Sequence, residues 1–190
     1  MKTLFISLKI FLFFTVLTGV IYPLFVTGIA QLTMPAKANG SLILKNNKII
    51  GSELIGQRFD SIIYFTSRPS AISYNPLPSG GSNFGLTNAR LKHSVDSLKK
   101  QFIVFNQLDT ISEIPSEMVF ASASGLDPHI SPKAALLQVG RIVKIRQFDD
   151  SKKQLLLQSI AELSQSPQYL FLGEQRINVL LLNLKLDEIK

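Results

Sequence analysis

The chain has 190 residues, enough for one folded domain with an appendage. It has no cysteine and only two histidines, which excludes a disulfide framework, zinc-thiolate sites, a cysteine nucleophile and a multi-histidine metal cage. Its net charge is +7, yet the lysines and arginines after residue 40 are scattered and tryptophan is absent, a pattern that argues against nucleic acid and for a basic surface beside anionic lipid or an acidic partner.

A mean hydropathy of +0.24 with 46% apolar residues points to one concentrated apolar segment, and it lies at the N-terminus. Residues 1–9 form a short tail. From Ile10 to Ala36 no residue is charged. A helix over 10–32 reaches across a hydrocarbon core of roughly 30 Å. Lys9 at its edge snorkels to the headgroups, and Pro23 is expected to kink it, which membrane helices tolerate. Gly28 and Ala30 also fit the small-residue pattern of a cleaved leader. The run is longer than the roughly 7–15 residues of an ordinary leader core, which favours an uncleaved anchor. Positive charges on the two flanks nearly tie. The very short tail resembles a signal anchor that leaves the bulk of the chain outside the cytoplasm.

Residues 41–190 are expected to form a single mixed domain of α+β class behind one transmembrane helix. Residues 41–51 predict a β-hairpin turning at Asn46 and Asn47, because asparagine accepts the positive φ of a tight turn. Residues 52–65 have no clear period. Residues 66–86 hold three prolines and three glycines and predict a long loop; Arg68, Tyr74 and Phe84 argue that it is ordered. Asn88 then caps a helix with Leu91, Val95, Leu98, Phe102 and Phe105 on one side. A loop over 106–116, a strand over 117–124 and a second breaker-rich loop follow.

Ser131 caps the next helix, with Pro132 at its first position and Ala135, Val139 and Ile142 along one stripe. Gln138 lies between apolar neighbours, and pattern alone gives it a structural role. Another helix capped by Asp150 or Ser151 leads to a short strand over 169–173. The last segment, from Ile177, reads as a helix capped by Asn178 more than as a strand.

The loop Ser79–Gly85, "SGGSNFG", looks like a phosphate cradle. A P-loop needs a lysine after its glycines and a dinucleotide fingerprint needs G-x-G-x-x-G after a strand. Neither pattern is present, so a tight turn packed by its own side chains is the simpler reading. Ser124, Asp127 and His129 suggest a hydrolase triad, but three members within six residues cannot easily face one another from separate elements.

Five segments in register carry a resemblance over nearly the whole chain: "YPLFVTGIAQLTMPAKANGSL", "GSELIGQRFDSIIYFTSRPSA", "YNPLPSGGSNFGLTN", "ASASGLDPHISPKAALLQVGRI" and "GEQRINVLLLNLKLD". The chain resembles the KdpC family, the small C subunits of bacterial Kdp potassium-transporting P-type ATPases. The resemblance implies a single-pass protein of the inner (plasma) membrane in contact with the lipid bilayer. Its partners would be a potassium-translocating subunit and an ATP-hydrolysing P-type subunit, and it would have no cofactor of its own. It implies a noncatalytic accessory role in assembly, and a catalytic-chaperone role that raises affinity for ATP within the complex. The family's implicated glutamine matches Gln138, and its "SGGSN" matches Ser79, Gly80, Gly81, Ser82 and Asn83. With Arg68, these are the candidate nucleotide or partner contacts. An extracytoplasmic domain could not touch cytoplasmic ATP directly. The alternatives are a stand-alone extracytoplasmic hydrolase and a secreted binding module.

Overall fold

The computed structural model describes residues 2–169 and 171–189, and the chain divides into two units, Met1–Ser52 and Glu53–Lys190. The first unit opens on α1 (Lys2–Val16), a π-helical turn (Leu17–Ile21) and α2 (Tyr22–Thr33), one continuous run of 32 helical residues long and apolar enough to cross a membrane. None of its side chains is buried within the chain. The irregularity expected at Pro23 takes the form of the π turn. Proline has no N–H and its ring crowds the carbonyl four residues back. The preceding turn widens, and the Tyr22 N–H reaches five residues back to the Leu17 carbonyl.

A short turn of helix, α3 (Pro35–Ala38), leads to the hairpin of β1 (Leu42–Lys45) and β2 (Lys48–Ser52). Its register pairs Lys45 with Lys48, leaving Asn46 (φ 52°) and Asn47 (φ 58°) as the two-residue turn that the sequence predicts.

The second unit contains α4 (Ala89–Asn106), β3 (His129–Ile130), α5 (Pro132–Arg146), α6 (Asp150–Leu163), β4 (Ile177–Asn178) and α7 (Val179–Leu186). Asn88, Ser131 and Asn178 cap α4, α5 and α7, each side chain accepting a first-turn N–H as expected. The cap of α6 is Asp149, one residue before the expected position; its carboxylate takes the Lys152 N–H at 2.8 Å. The core joins Phe102 of α4, Ala135, Val139 and Ile142 of α5, Leu156 and Ile160 of α6, and Leu182 and Leu186 of α7, with Phe65 and Met118 from the connecting segments. A two-residue antiparallel ladder, His129 with Asn178 and Ile130 with Ile177, ties the entry of α5 to the entry of α7. With the hairpin and this ladder, the class is α+β.

Two expected strands differ. Residues 116–118 form a 3₁₀ turn, and the Val119 and Phe120 N–H groups bond to the Ser116 carbonyl. Beyond it, the Ser122 N–H bonds to the Pro69 carbonyl, so the stretch 117–124 is met by a loop and has no ladder partner among the described residues. Instead of extended strand, Gln168 and Leu172 pair with each other as an isolated antiparallel bridge, and Tyr169 takes a positive φ. Leu170, inside that expected strand, lies outside the described residues.

Candidate functional site

The site begins with α5. Its cap and N-terminal proline fix where the helix starts, and 3.6-residue periodicity then sets which side chains face inward. Beside the apolar stripe runs a second buried stripe, Ala134, Gln138 and Arg141. Both polar residues reach an irregular segment, residues 62–66, that belongs to no helix or strand and inserts Phe65 into the core while Ile62 and Ile63 stay exposed.

Gln138 is fully buried. Its Oε1 accepts from the Thr66 N–H at 2.8 Å, the Thr66 hydroxyl at 3.0 Å and Arg141 Nη2 at 3.2 Å. Its Nε2 donates to the Thr66 carbonyl at 3.4 Å. Arg141 is 2% exposed and donates to the carbonyls of Ile62 and Tyr64 and to Asn106 Oδ1. Its guanidinium stacks on Phe105 at 4.6 Å. Its bonded partners are neutral oxygens, and burial pulls its pKa down to about 10, so it stays cationic at neutral pH. From α7, Asn183 takes the Phe65 N–H at 2.8 Å and returns a bond to the Phe65 carbonyl at 2.9 Å. Arg146 reaches the Ile63 carbonyl and pairs with Asp187 at 2.8 Å. Side chains therefore supply most of the segment's backbone partners, the Tyr64 N–H turning back to the Ser61 carbonyl at 3.1 Å, and among the described residues no strand pairs with it.

The clamp ends where Arg68 begins. Arg68 Nη1 pairs with Asp127 at 2.6 Å, and His129 Nδ1 lies 3.4 Å from the other carboxylate oxygen. Burial pushes the Asp127 carboxyl up, but hydrogen bonds from His129 and the Arg68 charge outweigh it and hold the pKa at about 2. Arg68 Nε is buried with no acceptor. Arg68 forms part of the lining of two cavities. One of about 810 Å³ also touches Glu117, Asp127, His129 and Arg176. The other, about 780 Å³, runs beside α4 and includes Thr66, Tyr74, Lys100, Phe102 and Phe105.

The "SGGSN" loop is docked on residues 122–125. The Gly80 N–H donates to the Ser124 carbonyl at 3.1 Å, and a Cβ on Gly81 would come within 3.2 Å of the Ala123 carbonyl oxygen. Opposite them, Gly125 has φ +71°, and a Cβ there would sit 2.4 Å from Ile72. The Ser79, Ser82 and Asn83 side chains are exposed. Gln138 thus bonds to Thr66, which lines the same cavity as Arg68, while the Ser79, Ser82 and Asn83 side chains face outward. Ser124 Oγ accepts from the Leu126 N–H, and no hydrogen bond joins it to His129 among the described residues.

Sequence reasoning missed Arg141, Asn183, Asn106 and the pairing of Asp127 with Arg68. Asn183 carried a signal, being the one polar residue among the leucines of Val179–Leu184. Arg141 carried a weaker one, three residues after Gln138 on the same flank of an amphipathic helix.

Comparison with known proteins agrees with this layout. A family model described as K+-transporting ATPase, c chain (KdpC) matches residues 4–188. The chain is 46% identical over 186 residues to the potassium-transporting ATPase KdpC subunit of Polynucleobacter asymbioticus, covering 95% of both chains. It is 44% identical over 182 residues to that of Leptospira interrogans, covering 96% of this chain and 92% of the relative. It is 42% identical over 190 residues to that of Flavobacterium johnsoniae, covering all of both. With helix and domain matched together, the chain belongs to the KdpC family.

Proposed function

We propose that the chain is a noncatalytic accessory subunit of a potassium-transporting P-type ATPase. Its N-terminal helix is a retained single-pass anchor in the plasma membrane, and its domain lies outside the cytoplasm. There it stabilises the potassium-translocating subunit, and it acts on the ATP-hydrolysing subunit through the assembled complex.

The observation that carries this reading is the use made of the polar residues. Gln138 has its acceptor and its donor committed to Thr66 and Arg141. The Gly80 N–H, the donor that a phosphate cradle would need, is committed to Ser124. These groups hold the domain's own backbone, while Arg68 and the exposed Ser79–Asn83 edge remain for partner contact. Any effect of Gln138 on ATP affinity then passes through the shape of the domain.

Co-purification tests the reading. The full chain, tagged at its C-terminus and solubilised in mild detergent, should bring down a P-type ATPase and a polytopic potassium-binding subunit. Gln138→Ala should lower complex yield and apparent ATP affinity together; a fall in ATP affinity at full complex yield would instead support direct nucleotide contact. Because the chain has no cysteine, topology can be read without background. A single cysteine at Ser82 should react with a membrane-impermeant maleimide in intact spheroplasts.

A further inference from the structure

The cavity beside α4 differs from the rest of the domain surface. Its floor is apolar, built on Phe102, Phe105 and Met118. Val104 on the same helix also lines it and is 76% exposed. Its rim is cationic. Arg58 is already held by Asp60 at 2.6 Å, whereas Lys100 has no anionic partner among the described residues. Arg68 stands at the inner wall with Nη1 on Asp127 and a buried Nε that lacks an acceptor. Beneath the floor lies the Arg141 guanidinium, against the Phe105 ring and bonded to neutral oxygens only. A low-dielectric wall with an uncompensated cation behind it concentrates positive potential in the groove.

We propose that this groove receives an extended acidic segment of a protein partner, with apolar side chains on the Phe102–Phe105–Met118 floor and a carboxylate at the Lys100–Arg68 rim. That the partner is another subunit of the transport complex rests on the accessory-subunit reading above. A carboxylate entering here gives the Arg68 guanidinium a second anionic partner beside Asp127, since its planar fork of N–H groups can hold more than one carboxylate. It also neutralises the charge of Lys100, which has no anionic partner among the described residues. Extended segments with alternating anchors are a common occupant of such grooves. A bilayer surface fits less well. Anionic membranes are recognised by runs of roughly four to eight adjacent basic residues on a convex face, whereas these cations stand apart around a concave apolar floor.

The test uses the intact complex in native membranes, with benzoyl-phenylalanine in place of Gln101, an exposed residue of the groove. Irradiation should cross-link one segment of a partner subunit next to an Asp or Glu. Lys100→Glu should lower the yield per recovered complex about tenfold, through one lost ion pair and one new repulsion; Lys100→Arg should keep it. Cross-links to lipid alone, no cross-link to any subunit while the complex co-purifies, or an unchanged yield with Lys100→Glu would each overturn the proposal. Failure of the unmodified chain to bring down a P-type ATPase is a separate result, which removes the subunit reading and this proposal with it.

Discussion

The N-terminal helix and the segment 62–66 face the same problem and solve it in opposite ways. Each carries backbone N–H and C=O groups that need hydrogen-bond partners. The helix answers within itself, through i to i+4 bonds and one π turn; none of its side chains is buried, and Gln31 reaches past the helix end to Asn39. The segment has no regular ladder, so Gln138, Arg141, Asn183 and Arg146 supply its partners. The first solution depends on composition and length alone. The second depends on individual side chains, and single substitutions should separate the two regions sharply.

The largest effect is expected at Arg141. Arg141→Met keeps much of the volume but strands the Ile62 and Tyr64 carbonyls and Asn106 Oδ1. Each stranded acceptor costs about 1–3 kcal/mol, for a total of about 4 kcal/mol after partial relaxation. Urea unfolding of the purified full chain, followed by circular dichroism, should show the domain transition moving to much lower denaturant while the helical signal of residues 2–33 persists. An unchanged midpoint would mean that the segment finds its partners elsewhere.

Asn183→Leu comes next. It strands both polar groups of Phe65, and leucine is wider than the site, so about 3 kcal/mol is expected. Gln138→Ala should cost about 2 kcal/mol, since the Thr66 N–H loses its acceptor while its hydroxyl can turn to solvent. If the three substitutions share one network, combining Gln138→Ala with Arg141→Met will cost less than the sum.

The same contrast explains what was legible in the sequence. The long apolar helix follows from an uncharged run, the hairpin from Asn46 and Asn47, and the helices from Asn88, Ser131 and Asn178 with their apolar spacing. These signals are local. The clamp was not legible, because Arg141 and Ile62 are 79 residues apart, and nothing near either position states the need of the other. The expected strand at 117–124 failed for the same reason: its local propensity is high, but a strand exists only where another lies beside it. The role of the "SGGSN" loop was half legible. Its breaker residues announced a tight turn packed by its own side chains, whereas the fold lays Gly80 and Gly81 against the backbone of residues 122–125 and leaves Ser79, Ser82 and Asn83 exposed.

Acid should act on the loop side of the domain. The Asp127 pKa is about 2 when folded, against an ordinary value of 3.8. A depressed carboxyl stabilises the fold above its unfolded pKa, and the contribution is lost as pH falls from about 4 through 2. The difference corresponds to at most about 2.4 kcal/mol, and about 1–2 kcal/mol is expected because the carboxylate is 28% exposed. Denaturation midpoints measured across this window should drop for the parent chain. Asp127→Asn should be less stable at neutral pH and should flatten that part of the profile.

The smallest effect is expected where the backbone needs no side chain. Pro23→Ala restores an N–H to the helix and removes the ring that crowds the Gly19 carbonyl. In water an interior proline costs about 3 kcal/mol, but here the π turn has already re-satisfied Tyr22 through Leu17. The substitution should therefore leave the domain's unfolding midpoint unchanged and convert residues 17–21 to regular α-helix. Amide exchange of the full chain in nanodiscs would read this as slower exchange confined to that turn. Slower exchange spreading into residues 53–190, or a shifted domain midpoint, would show that the helix and the domain depend on each other energetically and that the contrast drawn between them is too sharp.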